Sequence, residues 1–310
     1  MQIITGTTTF DFHKDSAVAI GKFDGVHLGH QRILSEILAQ KDKGMQAVVM
    51  TFDPSPEIFF GINPLPELST RDEKREFFGN MGIDVLVEFP FNRETAATPP
   101  DKFVREILFK SMRTRFVAAG DDLSFGDRGR GNFALLSSMA RELGFKAKKI
   151  DKIEMAGHII SSTLIRKLVE RGEMEKAAMF LGRPYQITGK VVHGTALGRE
   201  IGIPTLNHEP APEKLLPPRG VYYSTVLVDG MLLDGMTNIG VKPTVSDTGS
   251  VTAETFLYDF DGDLYGETAD VSLLSFRRPE KRFDSVGELQ RTIEQDIRAG
   301  EIFHAKRQKI

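Results

Sequence analysis

Four short apolar runs in residues 1–145, each followed by a segment of helical period, constrain the fold more than any other feature of this chain. The runs are "SAVAIGKF", "QAVVMTF", "DVLVEF" and "RFVAAG". The segments after them are "HQRILSEILAQKDKG", "STRDEKREFFGNMG", "PPDKFVREILFKSM" and "NFALLSSMARELG". In the first segment Ile33, Leu34, Ile37 and Leu38 share one face, and Gly44 is a stop signal. The second has a Ser or Thr cap, early acidic residues and a closing glycine. Pro100 suits the first turn of the third. In the fourth, Phe133, Leu136, Met139, Ala140 and Leu143 form one stripe. Strands alternating with helices imply βαβ units, hence a doubly wound α/β domain with a parallel, Rossmann-like sheet. Ligands of such sheets bind beyond the carboxyl ends of the strands. "FDGVHLGH", "DPSP" and "GDDLSFG" all fall there.

Beyond about residue 150 the pattern changes. "KIEMAGHIISSTLIRKLVERG" reads as a hairpin or extended pair and then a helix from near Ser162, and "MEKAAMFLG" as one more short helix. From "RPYQITGKVVHG" onward, extended segments alternate with Gly, Pro and Asp, as in a small antiparallel barrel or sandwich. The chain closes on "SVGELQRTIEQDIRAG", a helix expected to turn Val286, Leu289, Ile293 and Ile297 inward. The division is expected at "LGRPY", giving domains 1–182 and 183–310.

Composition excludes several classes. The net charge of −3 offers no global attraction to nucleic acid. The basic clusters "KAKKIDK" (146–152) and "RRPEKR" (277–282) read as solvated faces or anion sites. With no cysteine there is neither disulfide nor thiolate chemistry, which fits the cytoplasm. No run approaches the ~18 apolar residues of a membrane span, and the first residues lack the plan of a signal peptide. The expected partners are small molecules, with neither nucleic acid nor membrane, and the expected state is a monomer or weak homo-oligomer.

In "FDGVHLGH" a strand is expected to end at Phe23, turn through Gly25 and enter a helix near His30, with Gly29 letting the backbone approach a ligand. A helix N-terminus and the imidazoles of His27 and His30 in one crevice suit a polyphosphate. Two histidines alone are better read as an ordinary strand–loop–helix with incidental imidazoles, and no third ligand nearby completes a metal site. "SSTLIR" brings hydroxyls at Ser161, Ser162 and Thr163, and Arg166 one turn later. It reads either as a phosphate clamp or as an N-cap before an amphipathic helix. "HGTALGREIGIPTLN" is glycine-rich without the Lys-Ser/Thr of a Walker loop. Glu254, read within "TAETFLYDF" alone, is a solvent-facing strand residue.

Taken together, these segments resemble a known family. "GKFDGVHLGH" resembles the HxGH motif of the nucleotidyltransferase superfamily, and its longer form that of the bacterial bifunctional riboflavin kinase/FAD synthetases. "TFDPSP", "GDDLSFG", "ISSTLIR", "GKVVHGTALGREIGIPTLN", "AETFLYDFDGDLYG" and "FRRPEKRFDS" resemble that family's remaining motifs, in its order, over nearly the whole chain. The resemblance implies two consecutive reactions: riboflavin and ATP give FMN, then FMN and a second ATP give FAD and pyrophosphate. It implies Mg2+ as cofactor. His27, His30 and Arg166 are then transition-state stabilisers of adenylyl transfer, because the attacking phosphate is already anionic and needs no strong base.

The same resemblance assigns Gly21, Phe23, Asp24, Gly29, Asp122, Phe125, Ser161, Ser162 and Thr163 to nucleotide or flavin binding, with Phe52 beside the flavin ring. In the kinase portion it assigns Glu254 as base, Thr205 and Asn207 to Mg-ATP, Gly198 to the nucleotide loop, and Arg278 to flavin contact or lid closure. Two positions depart from the pattern. Ser55 stands where the family usually has histidine, and Leu123 where phenylalanine is common. They bear on the rate of adenylylation without implying its loss. A flavin-binding protein with weakened turnover, and an adenylyltransferase for another acceptor, are the alternatives; the kinase-like half argues against the second.

Overall fold

The computed structural model describes residues 1–61, 66–192, 203–241 and 251–307. They form two compact units, Met1–Ser162 and Thr163–Ile310.

The first unit is built on a six-stranded, wholly parallel sheet. Its strands are β1 (Gln2–Thr5), β2 (Ser16–Ile20), β3 (Gln46–Asp53), β4 (Val85–Pro90), β5 (Thr114–Gly120) and β6 (Lys146–Ile150), in the order β1-β4-β3-β2-β5-β6. The second, third, fourth and fifth of these are the four apolar runs. Alternation along β2 divides the core. Val18 and Ile20 join a cluster with Phe103, Leu108, Leu136 and Met139, while Ala17 and Ala19 join one with Ile33, Leu34, Ile37 and Phe78. Helices therefore cover both faces. They are α1 (Leu28–Leu38) and α2 (Arg71–Asn80) on one side, and Phe103–Ser111 and α3 (Phe133–Leu143) on the other.

Three details differ from expectation. "KAKKI" is the edge strand β6 rather than a solvated face, and the polar-flanked β1 is the other edge. Neither shows the continuous apolar run of a buried strand, because an edge packs on fewer neighbours. The segment after Pro100 makes one α-helical turn and continues as a π-helix over Phe103–Ser111, burying Phe103, Val104 and Leu108.

One buried ion pair fixes α2 to β4. Arg75 donates to Glu88 through Nε (2.8 Å) and Nη2 (2.7 Å), and Glu88 is only 3% exposed. Burial pushes the Glu88 carboxyl up, but Arg75 outweighs it and holds it below the ordinary glutamate value. This stabilisation is present above the unfolded-state value and is lost as pH falls through the folded one. Arg75→Met is expected to destabilise the first unit by about 3–5 kcal/mol, since it strands a buried carboxylate. Urea unfolding at pH 7 measures it, and a loss below ~1 kcal/mol would contradict it.

The second unit begins with α4 (Ser162–Glu170) and α5 (Met174–Leu181), closed by Gly182 at φ 73°. Its strands are β7 (Tyr185–Val192), β8 (Leu206–His208), β9 (Gly220–Val228), β10 (Met231–Val241), β11 (Val251–Leu257) and β12 (Thr268–Pro279). They form a closed antiparallel barrel in the order β7-β8-β11-β10-β9-β12, settling the choice between barrel and sandwich. A hydroxyl ladder, Ser224 to Thr237 (2.7 Å) to Thr255 (2.8 Å), crosses three adjacent strands. His208 is fully buried, neither ring nitrogen has a partner among the described residues, and burial depresses its pKa to about 4.

The closing helix, α6 (Val286–Arg307), is longer than its apolar pattern implies and turns a different face inward. Its buried residues are Asp296, Gly300 and His304; Leu289, Ile293 and Ile297 are half-buried and Val286 is exposed. Asp296 is drawn in by Arg277 and Arg278, and His304 by the Gly235 carbonyl (3.1 Å). No helix among the described residues is long and apolar enough to cross a membrane.

Candidate active sites

The order of the first sheet puts its reversal between β2 and β5, the position at which parallel sheets open a crevice at their carboxyl ends. The loops leaving β2 and β5 carry "FDGVHLGH" and "GDDLSFG". β2 ends at Ile20, three residues earlier than expected. The chain then turns through Phe23 and Gly25, at φ 53° and 78°, and α1 starts at Leu28. His27 is therefore the N-cap. Its Nδ1 accepts from the His30 N–H at 3.3 Å, which fixes the proton of a neutral ring on Nε2. The two imidazoles stack at 3.7 Å and 14°. Burial, and then the neighbouring His27, hold the His30 pKa well below the usual histidine value, so His30 is neutral at pH 7. Its enclosed Nδ1 has no hydrogen-bond partner among the described residues.

Several residues expected to contact a ligand pack against their own loop or the core. Phe23 is fully buried, edge-on to His30 (5.3 Å) and Phe78 (5.8 Å), and presents no ring surface to a ligand. Phe125 likewise packs on Phe103 at 5.5 Å in the core. Phe52 is half-buried and meets Phe89 and Phe91 edge-on. A Cβ on Gly29 would lie 3.1 Å from the His27 ring, and one on Gly21 3.2 Å from Phe23. These glycines thus make room for side chains of their own loop.

Asp24 is a junction. Its Oδ1 accepts from Leu68 N (2.8 Å) and Ser69 N (3.3 Å), and its carbonyl accepts from Ser162 Oγ (2.9 Å). The Ser162 hydroxyl proton, expected to serve a phosphate, is committed to that carbonyl. Ser161 is half-buried beside it. Thr163, exposed, and Arg166, half-buried, follow on α4 and belong to the second unit. Asp122 is exposed, with Lys152 at 3.5 Å. Ser55 caps the helical turn Pro56–Phe59, accepting from Ile58 N at 3.5 Å, and Leu123 packs against the core.

Lys22 was not singled out from sequence. Its ammonium bonds Glu57, and its pKa is lowered by partial burial against the opposing pull of Asp122 and Asp24. Its one signal is its place between the end of β2 and the first histidine.

In the second unit three predicted or neighbouring polar residues fall in one cross-strand row. Asn207 on β8 is directly opposite Glu254 on β11, which is opposite Asn238 on β10. Residues directly opposite share a face, so two amides flank the carboxylate. Asn207 Nδ2 donates to Thr205 O (3.3 Å) and Oγ1 (3.4 Å), joining both expected Mg-ATP residues. Asn238 and Glu280 were missed. Both reach the space over Gly240, where a Cβ would lie 3.1 Å from Asn238 Nδ2 and 2.9 Å from Glu280 Oε1. Only strand register, invisible in a linear pattern, reveals Asn238. Arg278 donates to Asp296 (2.7 Å) and to the Pro279 carbonyl (3.1 Å), so it anchors α6 to the barrel. Gly198 lies outside the described residues.

Comparison with known proteins separates the same two regions. The family described as FAD synthetase matches residues 9–164, and the family described as riboflavin kinase matches residues 181–303. A bifunctional riboflavin kinase/FMN adenylyltransferase of Listeria monocytogenes is 35% identical over 94% of this chain and 93% of its own length. Its namesake from Escherichia coli (strain K12) is 37% identical over 92% of each. A crystal structure described as a macrolide-efflux protein of Streptococcus pneumoniae superimposes with a TM-score of 0.85 at 29% identity, over 96% of this chain and 98% of that one.

Proposed function

The chain belongs to the bifunctional riboflavin kinase/FMN adenylyltransferase family, and we propose that its two reactions divide between the His27–His30 loop and the Glu254 row. It is an enzyme of FMN and FAD synthesis, with riboflavin, FMN and ATP as substrates. Adenylyl transfer is assigned to residues 1–182 and riboflavin phosphorylation to residues 183–310. The observation that carries the division is that each matched region holds its own cluster of polar side chains.

In the first reaction Glu254 accepts the proton of the ribityl hydroxyl as that oxygen attacks the γ-phosphorus of ATP, and ADP leaves with the electron pair of the broken P–O bond. Asn207 and Asn238 orient its carboxylate. Mg2+ fits the donors at the start of β8: a hydroxyl and an amide are hard oxygen ligands, and Asn207 Oδ1 is left to ligate because Nδ2 faces Thr205. When bound with ATP the ion offsets phosphate charge. In the second reaction an FMN phosphate oxygen attacks the α-phosphorus, and pyrophosphate leaves with the bonding pair. His27, whose Nδ1 accepts from the His30 N–H, donates from Nε2 to the phosphoryl oxygens, and His30 lines the same crevice. The working enzyme is taken to be a cytoplasmic monomer or weak homo-oligomer, without nucleic acid or membrane.

Purified protein given riboflavin, ATP and Mg2+ is expected to yield both FMN and FAD by chromatography. Neither product with riboflavin, and no FAD from supplied FMN, would overturn the reading.

A further inference from the structure

The adenylyl-transfer crevice has an unbalanced charge account. Its substrates are two polyanions, yet the stacked histidines bring little positive charge. Two cations cannot stack comfortably at 3.7 Å, and burial already keeps His30 neutral. Between Gly21 and His30 the one Lys or Arg is Lys22. It stands one residue past the first glycine after β2, at the reversal point of the sheet. Acidic groups surround it: Glu57 in direct contact, with Asp24 and Asp122 close enough to act on its charge. Two other cations are already paired, Arg71 with Asp53 and Lys152 with Asp121 and Asp122.

Resting on the adenylyltransferase reading, we propose that Lys22 is a phosphate-binding residue of that site, held by Glu57 until a substrate phosphate displaces the carboxylate. The pair is about half exposed on both sides, and such pairs are weak, so exchange is easy. A phosphate carries more charge and more acceptor oxygens than the single carboxylate it replaces. Ser55 fits the same picture. It spends its side chain capping the turn that presents Glu57 and offers no cation of its own.

The experiment uses the full chain and follows FAD formation from FMN and ATP, with inorganic pyrophosphate as a binding probe. Lys22→Met is expected to lower kcat/KM about ten- to a hundredfold and to weaken pyrophosphate inhibition in proportion. Lys22→Arg should retain activity within about threefold. Glu57→Gln, which removes the competing carboxylate, should lower the KM for ATP. Riboflavin phosphorylation and the melting temperature should not move. A Lys22→Met enzyme within about twofold of the parent, or a pyrophosphate inhibition constant that does not change, would overturn the proposal. Absence of FAD from the parent enzyme would instead overturn the underlying reading.

Discussion

Glu254→Gln is expected to cut riboflavin phosphorylation about 10²- to 10⁴-fold, the span of a lost general base, while supplied FMN is still converted to FAD. The carboxylate sits in mid-strand, with Asn207 and Asn238 opposite on the two neighbouring strands. Glutamine keeps its volume and the register of the barrel. What it loses is the capacity to accept a proton from the attacking hydroxyl. The measurement is two separate time courses, one started with riboflavin and one with FMN. Loss of FAD formation from FMN without unfolding would contradict the division of labour, and retained kinase activity would remove Glu254 from the mechanism.

His30→Ala is expected to reduce adenylyl transfer about 10²- to 10³-fold, the cost of removing one preorganised group from a developing charge, and to spare the kinase. His30 stacks on His27 and meets Phe23 edge-on, so its removal also unseats the ring that caps α1. His30→Gln, which keeps a polar group beside Phe23, separates that loss of packing from loss of the imidazole. Because His30 titrates well below the usual histidine range, acidification from pH 8 to pH 6.5 should not protonate it. A rate that rose on acidification through His30 would contradict a neutral imidazole.

Much of the first unit was legible because its four central strands are apolar runs and its helices carry regular stripes; Leu136, Met139 and Ala140 pack as their spacing implies. The edge strands were not legible, since "KAKKI" has the composition of a surface. The inward face of α6 was misread for a related reason. Apolar spacing pointed to Val286 and Ile297, whereas two arginines on β12 draw Asp296 inside, and pattern reading does not expect a buried carboxylate. Among the proposed site residues, His27, His30 and Glu254 stand in motifs that a linear reading can single out. The packing of Phe23 and Phe125 and the bonds of Ser162 and Arg278 needed coordinates, because a motif does not say whether a side chain faces its neighbour. Asn238, Glu280 and Lys22 depend on register and proximity that no linear spacing encodes.

The two units differ in how they end. A closed barrel has no unpaired border, but the open parallel sheet has two, and β6 is one of them. Three of its five residues are lysines, with Lys148 held by Glu36 at 2.7 Å and Lys149 beside Asp151 at 3.5 Å. Such a fringe of charge blocks a second chain from adding itself to the sheet. The basic cluster read as a solvated face or an anion site thus lies along an open border of the sheet, where its charge opposes the addition of a further strand.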